Sequence, residues 1–239
     1  MTTTNYFVSD VERYKQYRKS TLKHFGSNNI REIKEVIVSP CNNYSLTIYK
    51  YQTAPKCWSF LNIVVKSLIN NQVITEVKRN YSDFYYYFHN DYLIIGEDYQ
   101  GYSIINLLNQ TVNIYFPDEG YKGFGFCWSN IVGVYNNKLI VEGCYWVCPY
   151  ECVIYDITNI EQLPLQPLQE IDRFDCEGWA TLEDNKLVFK DEKDYRLSDN
   201  KSFDDLTNEE IKEILDAELK DSSTELSYEK TVITKIVEL

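Results

Sequence analysis

The chain has 239 residues, enough for one large domain or two small ones. With 44% hydrophobic and 25% charged residues it has the composition of a folded globular protein, which excludes a disordered chain. A formal net charge of −12 repels phosphate backbones at long range and argues against general nucleic-acid binding. No run approaches the ~18 apolar residues that a spanning helix needs, so no membrane role is expected.

The opening "MTTTNYFVSD" carries no charged start followed by an apolar run, so no secretory leader is read there. Ser9 to Glu12 (S-D-V-E) forms a capping-box pattern and predicts an N-terminal helix within residues 1–26, reaching about His24 and stopped by Gly26. The same helix holds the one notable basic cluster, "ERYKQYRKSTLKH", read as a solvated face.

Residues 30–200 repeat. "CNNYSLTIYKY", "FHNDYLIIGED", "YNNKLIVEGCY" and "LEDNKLVFKDE" each place a polar turn before an apolar strand, and Asn43, Asp91, Asn137 and Asn185 recur at intervals of 48, 46 and 48 residues. Asn and Asp tolerate the left-handed backbone of a tight turn, so the shared residue type has a physical cause. Runs such as "EIKEVIVS" precede these turns, and "SFLNIVVKSL", "GYSIINL" and "ECVIYDI" follow; a fourth run, "VITEVKR" or "TVNIYF", is visible in two repeats. An aromatic content of 15%, with 21 tyrosines, favours sheet. Four short antiparallel strands every 40–50 residues predict an all-β, β-propeller-like fold of four repeats.

Beyond the repeats, Thr207 to Glu210 (T-N-E-E) opens a helix within 204–220, with Ile211, Ile214, Leu215 and Leu219 on one stripe. Residues 225–239, "ELSYEKTVITKIVEL" with its start, read as a strand that completes the fourth repeat and covers an open edge. The whole chain, 1–239, is expected to be one domain.

The stretch "VIVSPCNNYSLTIYKY" resembles the Ser-Pro-turn-strand entry of WD40-like propeller blades, although no Gly-His or Trp-Asp dipeptide accompanies it. "GCYWVCPYECVIYD" is similar to a segment of propeller-like proteins, a likeness that implies a fold and no activity. The abundance of Asn, Ile, Tyr and Lys resembles proteins of very AT-rich genomes, such as those of giant viruses or protists.

In a blade with strands a to d, the b–c and d–a connections share one end. Trp58, Trp128, Trp146 and Trp179 map there, as do Cys57, Cys127, Cys144, Cys148, Cys152 and Cys176; Cys41 maps to the other end. The third b–c hairpin is four residues longer than the second, and lengthened tips on a rigid scaffold are where binding surfaces form. Cys144 and Cys148 fall within zinc-ligand spacing and Cys127 or Cys176 could complete a set of four, so a zinc-stabilised scaffold through Cys144, Cys148 and Cys152 is an alternative reading; extended chain and Pro149 rule out a helical three-thiolate face, and packed thiols with no metal or cofactor are the leading expectation. A turn centred near Cys148 places Cys144 across from Cys152. Seven cysteines, an odd number, suit a reducing cytoplasm, or a virion if the source is viral. His24 and His89, the only histidines, fall away from the cysteines, so no Cys–His dyad is expected. Glu97, Asp98, Glu151 and Glu177 beside aromatics would suit sugar binding or glycoside hydrolysis, the competing enzyme reading. The glycines of "GYKGFGFCW" form no phosphate-binding motif.

The leading expectation is a non-catalytic module that binds a protein partner through Trp128, Tyr145, Trp146, Tyr150 and Glu151, joined by Asp98 and Tyr99. Trp and Tyr anchors inside a polar rim are what interface hot spots require.

Overall fold

The computed structural model describes residues 2–26, 29–79, 85–96, 101–117, 126–145, 151–172, 180–196, 199–202, 205–220 and 228–239. Sixteen strands and two α-helices lie among the described residues, so the protein is all-β in class. None of its described helices is long and apolar enough to cross a membrane. The chain forms two compact units, Met1–Asp172 and Arg173–Leu239.

The first unit contains three antiparallel meanders. They are β2 (Ile30–Val38), β3 (Tyr44–Gln52), β4 (Ser59–Ser67) and β5 (Val73–Arg79); β6 (Tyr86–His89), β7 (Tyr92–Gly96), β8 (Tyr102–Asn106) and β9 (Thr111–Tyr115); and β10 (Cys127–Tyr135), β11 (Lys138–Cys144), β12 (Glu151–Asp156) and β13 (Gln166–Asp172). The sheets pack face to face in chain order. Ile94, Tyr102 and Ile104 of the second sheet meet Val141 and Val153 of the third. Leu93, Ile95 and Ile105, on the opposite face, meet Leu46, Ile63 and Val65 of the first. A sheet covered on both faces needs apolar residues at every position, which is why β7 and β8 read as unbroken "YLII" and "SII" runs and do not alternate.

The repeated turns are equivalent in detail. Asn42, Asn90, Asn136 and Asp184 each take a positive φ, between 46° and 59°. The next residue's carbonyl then accepts from the N–H just past the third strand of its sheet: Leu68 to Asn43 at 2.8 Å, Leu107 to Asp91 at 2.9 Å, Ile157 to Asn137 at 2.8 Å and Leu239 to Asn185 at 2.9 Å. Asn106 and Asp156, which end the third strands, also match: each accepts from the backbone N–H two residues on, at 3.1 and 2.8 Å. The sequence period is therefore a period of backbone geometry.

Two elements differ from expectation. The N-terminal segment is not helix alone: β1 (Thr3–Phe7) runs parallel to β9 and makes the second sheet five-stranded. Helix α1 (Val11–Leu22) follows, with Asp10 rather than Ser9 as its cap, accepting from the Arg13 N–H at 2.9 Å. Strand β13 was hidden in sequence by Pro167. Proline lacks an N–H, yet an edge strand can carry it; β13 is an edge, and its register with β12 shifts at Tyr155.

The second unit contains β14 (Thr181–Glu183), β15 (Lys186–Arg196), α2 (Asn208–Lys220) and β16 (Tyr228–Glu238). The C-terminal strand pairs antiparallel with β15 from Lys186↔Glu238 to Arg196↔Tyr228, in the place that the third strand occupies in the other sheets. Leu187, Val188 and Phe189 are buried. On α2, Ile214 is buried and Ile211 half-buried, while the side chains of Leu215 and Leu219 lie outside the described set.

Candidate functional site: an aromatic cleft

Between the second and third sheets, six aromatic side chains line a cleft of about 260 Å³. Its floor begins with Gly101, whose φ is +77° and whose missing Cβ would stand 2.3 Å from the Tyr115 carbonyl oxygen. Only glycine suits that approach, and it sets Tyr102 at the head of β8. The Tyr102 ring stacks on Trp128 with centroids 4.5 Å apart and planes at 14°. Its hydroxyl accepts from the Leu165 N–H at 2.6 Å. Trp128 heads β10 opposite Gly143, where an added Cβ would collide with the Cys127 carbonyl at 2.0 Å. Trp128 and Tyr102 are buried, so the inner wall of the cleft is also core.

Tyr145 forms the outer wall. It meets Phe126 edge-on at 5.2 Å, and its hydroxyl donates to Glu170 Oε1 at 2.6 Å. Burial raises the Tyr145 phenol well above its ordinary range, and the Glu170 carboxylate adds to the rise by favouring the protonated donor. Tyr102 and Tyr155 are also raised, chiefly by burial. All three stay neutral at physiological pH. Pro117, Pro164 and Pro167 complete the walls. The cleft thus offers flat apolar surface with one carboxylate at its rim.

Of the residues expected to form a binding face, Trp128 and Tyr145 line this cleft. Glu151 lies half-buried at the start of β12, opposite Gly143. Trp146, Tyr150, Asp98 and Tyr99 lie outside the described residues, as do Glu97, Glu177, Cys148, Cys176, Trp179 and Gly120, Gly123 and Gly125. Trp58 is half-exposed in the first b–c connection. Sequence reasoning missed Tyr102, Tyr155 and Glu170; the two tyrosines sit inside apolar strand runs, where a ring reads as core.

The chain is similar to a viral protein. It is 24% identical over 212 residues to uncharacterized protein R762 of Acanthamoeba polyphaga mimivirus, covering 83% of this chain and 82% of that protein. No protein-family model matches the chain.

The cysteines pair differently from expectation. Cys152 lies opposite Glu142, whereas Cys144 lies opposite Cys127. The hairpin is therefore not centred on Cys148. Cys127 and Cys144 are half-buried and Cys152 is buried; none of the described cysteines is in a disulfide. Among the described residues no three His, Cys, Asp or Glu side chains are grouped to hold a metal ion. Glu142, fully buried, accepts from the Asn130 amide at 3.0 Å. His24 stacks on Phe60 at 4.0 Å, and burial lowers its pKa, with Lys23 contributing. His89 is likewise lowered by burial.

Proposed function

We propose that this protein is a non-catalytic protein-binding module on a propeller-like scaffold, with the repeated sheets acting as blades and the cleft at Tyr145 as a contact point. The observation that carries this reading is a cleft walled by six aromatic residues with a carboxylate hydrogen-bonded at its rim. At about 260 Å³, it falls below the ~300 Å³ at which small-molecule sites begin. It is sized for one or two side chains of a partner. The chemistry favours an aromatic or proline-containing anchor flanked by Lys or Arg, drawn by Glu170 and by the net charge of −12. We place the module in the cytoplasm of an infected cell or in a virion, because its relative is a mimivirus protein and its described cysteines form no disulfide.

A displayed peptide library panned on the whole protein tests this. Enriched peptides should share an aromatic or proline anchor with a neighbouring basic residue. Tyr145→Ala should weaken them by about 30-fold, the ~2 kcal/mol of an interface hot spot, with the protein still folded by circular dichroism at the assay temperature. Trp128 is unsuited to the test, since truncating a buried Trp costs about 3–5 kcal/mol of fold stability. Equal binding by wild type and Tyr145→Ala would overturn the reading.

A further inference from the structure

A second cleft, of about 490 Å³, opens where β1 and α1 lie against β5 and β9. It shares no lining residue with the aromatic cleft. Its rim carries four cations, Lys15, Arg18, Lys19 and Lys78, in a chain whose net charge is −12. Among the described residues, Glu12 lies 2.8 Å from Lys15 and Glu76 lies 3.7 Å from Lys78. The guanidinium of Arg18 is aimed by donating to the Lys78 carbonyl, which ties the helix to the edge of the first sheet at the mouth of the cleft. Thr4 and Thr75 bring hydroxyls to the lining, and the Tyr6 and Tyr14 rings, 5.8 Å apart, form an apolar wall.

We infer that this cleft binds a phosphorylated organic molecule. A local excess of cations in an acidic protein is a focused positive potential. Guanidinium and ammonium groups with hydroxyls in the same lining match phosphate oxygens, and a planar guanidinium can engage two oxygens at once. The volume falls within the ~300–1,000 Å³ of small-molecule sites, and the tyrosine wall suits the organic body of the ligand. The phosphate is either free in solution or presented by a lipid headgroup, and the two sources are told apart by which probe binds.

Calorimetry on the full chain with inorganic phosphate, adenosine triphosphate and inositol hexakisphosphate tests the soluble source. Flotation with phosphatidylcholine vesicles, with or without 5% phosphatidylinositol 4-phosphate, tests the lipid source. At least one phosphorylated probe should bind, and binding should weaken steeply as salt rises. The exposed-rim variant Lys19→Glu should weaken it about tenfold or more at unchanged Tm, and Arg18→Gln should weaken binding too, at some cost in Tm because it also loses the tie to the Lys78 carbonyl. Binding confined to the vesicles assigns the headgroup; binding of a soluble probe assigns the free ligand. Failure of every probe at millimolar concentration, or binding indifferent to Lys19→Glu, overturns the inference and leaves the Tyr145 cleft untouched.

Discussion

Glu210 shows how one side chain can carry several local duties. Its Oε2 accepts from the Thr207 N–H at 2.9 Å while its own N–H donates to Thr207 Oγ1 at 3.2 Å, the reciprocal cap that the T-N-E-E pattern predicts. Its other oxygen faces Arg196 at 2.8 Å and Lys201 at 3.0 Å. The Thr207 N–H, then Arg196 and Lys201, hold its carboxyl down to about 2, from an ordinary value of 4.5. A carboxyl with a depressed folded pKa stabilises in full above its unfolded value, and that contribution is lost as pH falls through the folded one. The helical signal of the wild type should therefore erode between pH 4.5 and about 2. Glu210→Gln should begin less stable at neutral pH and change less across that window. Circular dichroism melts at stepped pH measure this, and raised salt should narrow the difference because the group is solvent-facing.

At the level of strands, register decides which groups can react. The cysteine spacing in "CYWVCPYEC" suggested that Cys144 and Cys152 face each other, because a hairpin tip was assumed to lie midway. The pairing of β11 with β12 instead sets Gly143 against Glu151 and Glu142 against Cys152. Cys144 belongs to the other seam, opposite Cys127 on β10, where the ladder has shifted register at two places. The β11–β12 ladder itself is regular, so a one-residue offset of its centre is enough to separate Cys144 from Cys152, and cysteine spacing alone does not fix that offset. Directly opposed strand residues hold their Cβ atoms ~4.5–5.5 Å apart, somewhat beyond the ~3.5–4.5 Å of a relaxed disulfide, so a bond across the seam is strained but within reach of a small shift. Mild oxidation with diamide should accordingly join Cys127 to Cys144 and not Cys144 to Cys152. Peptide mapping by mass spectrometry under non-reducing conditions checks it; a dominant 144–152 crosslink would show that the β11–β12 register is wrong.

For the molecule as a whole, what was legible was the period. Polar corners are set by local backbone chemistry, so the turns at Asn43, Asp91, Asn137 and Asn185 were legible, although the left-handed residue is the one before each, Asn42, Asn90, Asn136 and Asp184, and of the four turn residues first named only Asn137 shares that conformation. Partners chosen by distant packing were not: β1 joins β9 across more than a hundred residues, and Tyr102 finds Trp128 from another sheet. The closing strand lies between these cases, since it was inferred from a gap in the repeat rather than from a contact. Its role can be isolated. β15 is bordered by β14, only three residues long, and by β16 over eleven paired positions. Without β16, β15 would keep one short partner, and a sheet of two strands is marginal in water. Its bare edge would present unpaired N–H and C=O groups to other chains. A chain ended after Lys220 should consequently lose strand signal and self-associate, seen by circular dichroism and light scattering. A peptide of residues 225–239 added in trans should restore a monomer, because it carries both the ladder and the Leu239 N–H that closes the Asn185 corner at 2.9 Å. A truncated chain that stayed monomeric with unchanged spectra would mean that the fourth sheet does not depend on its final strand.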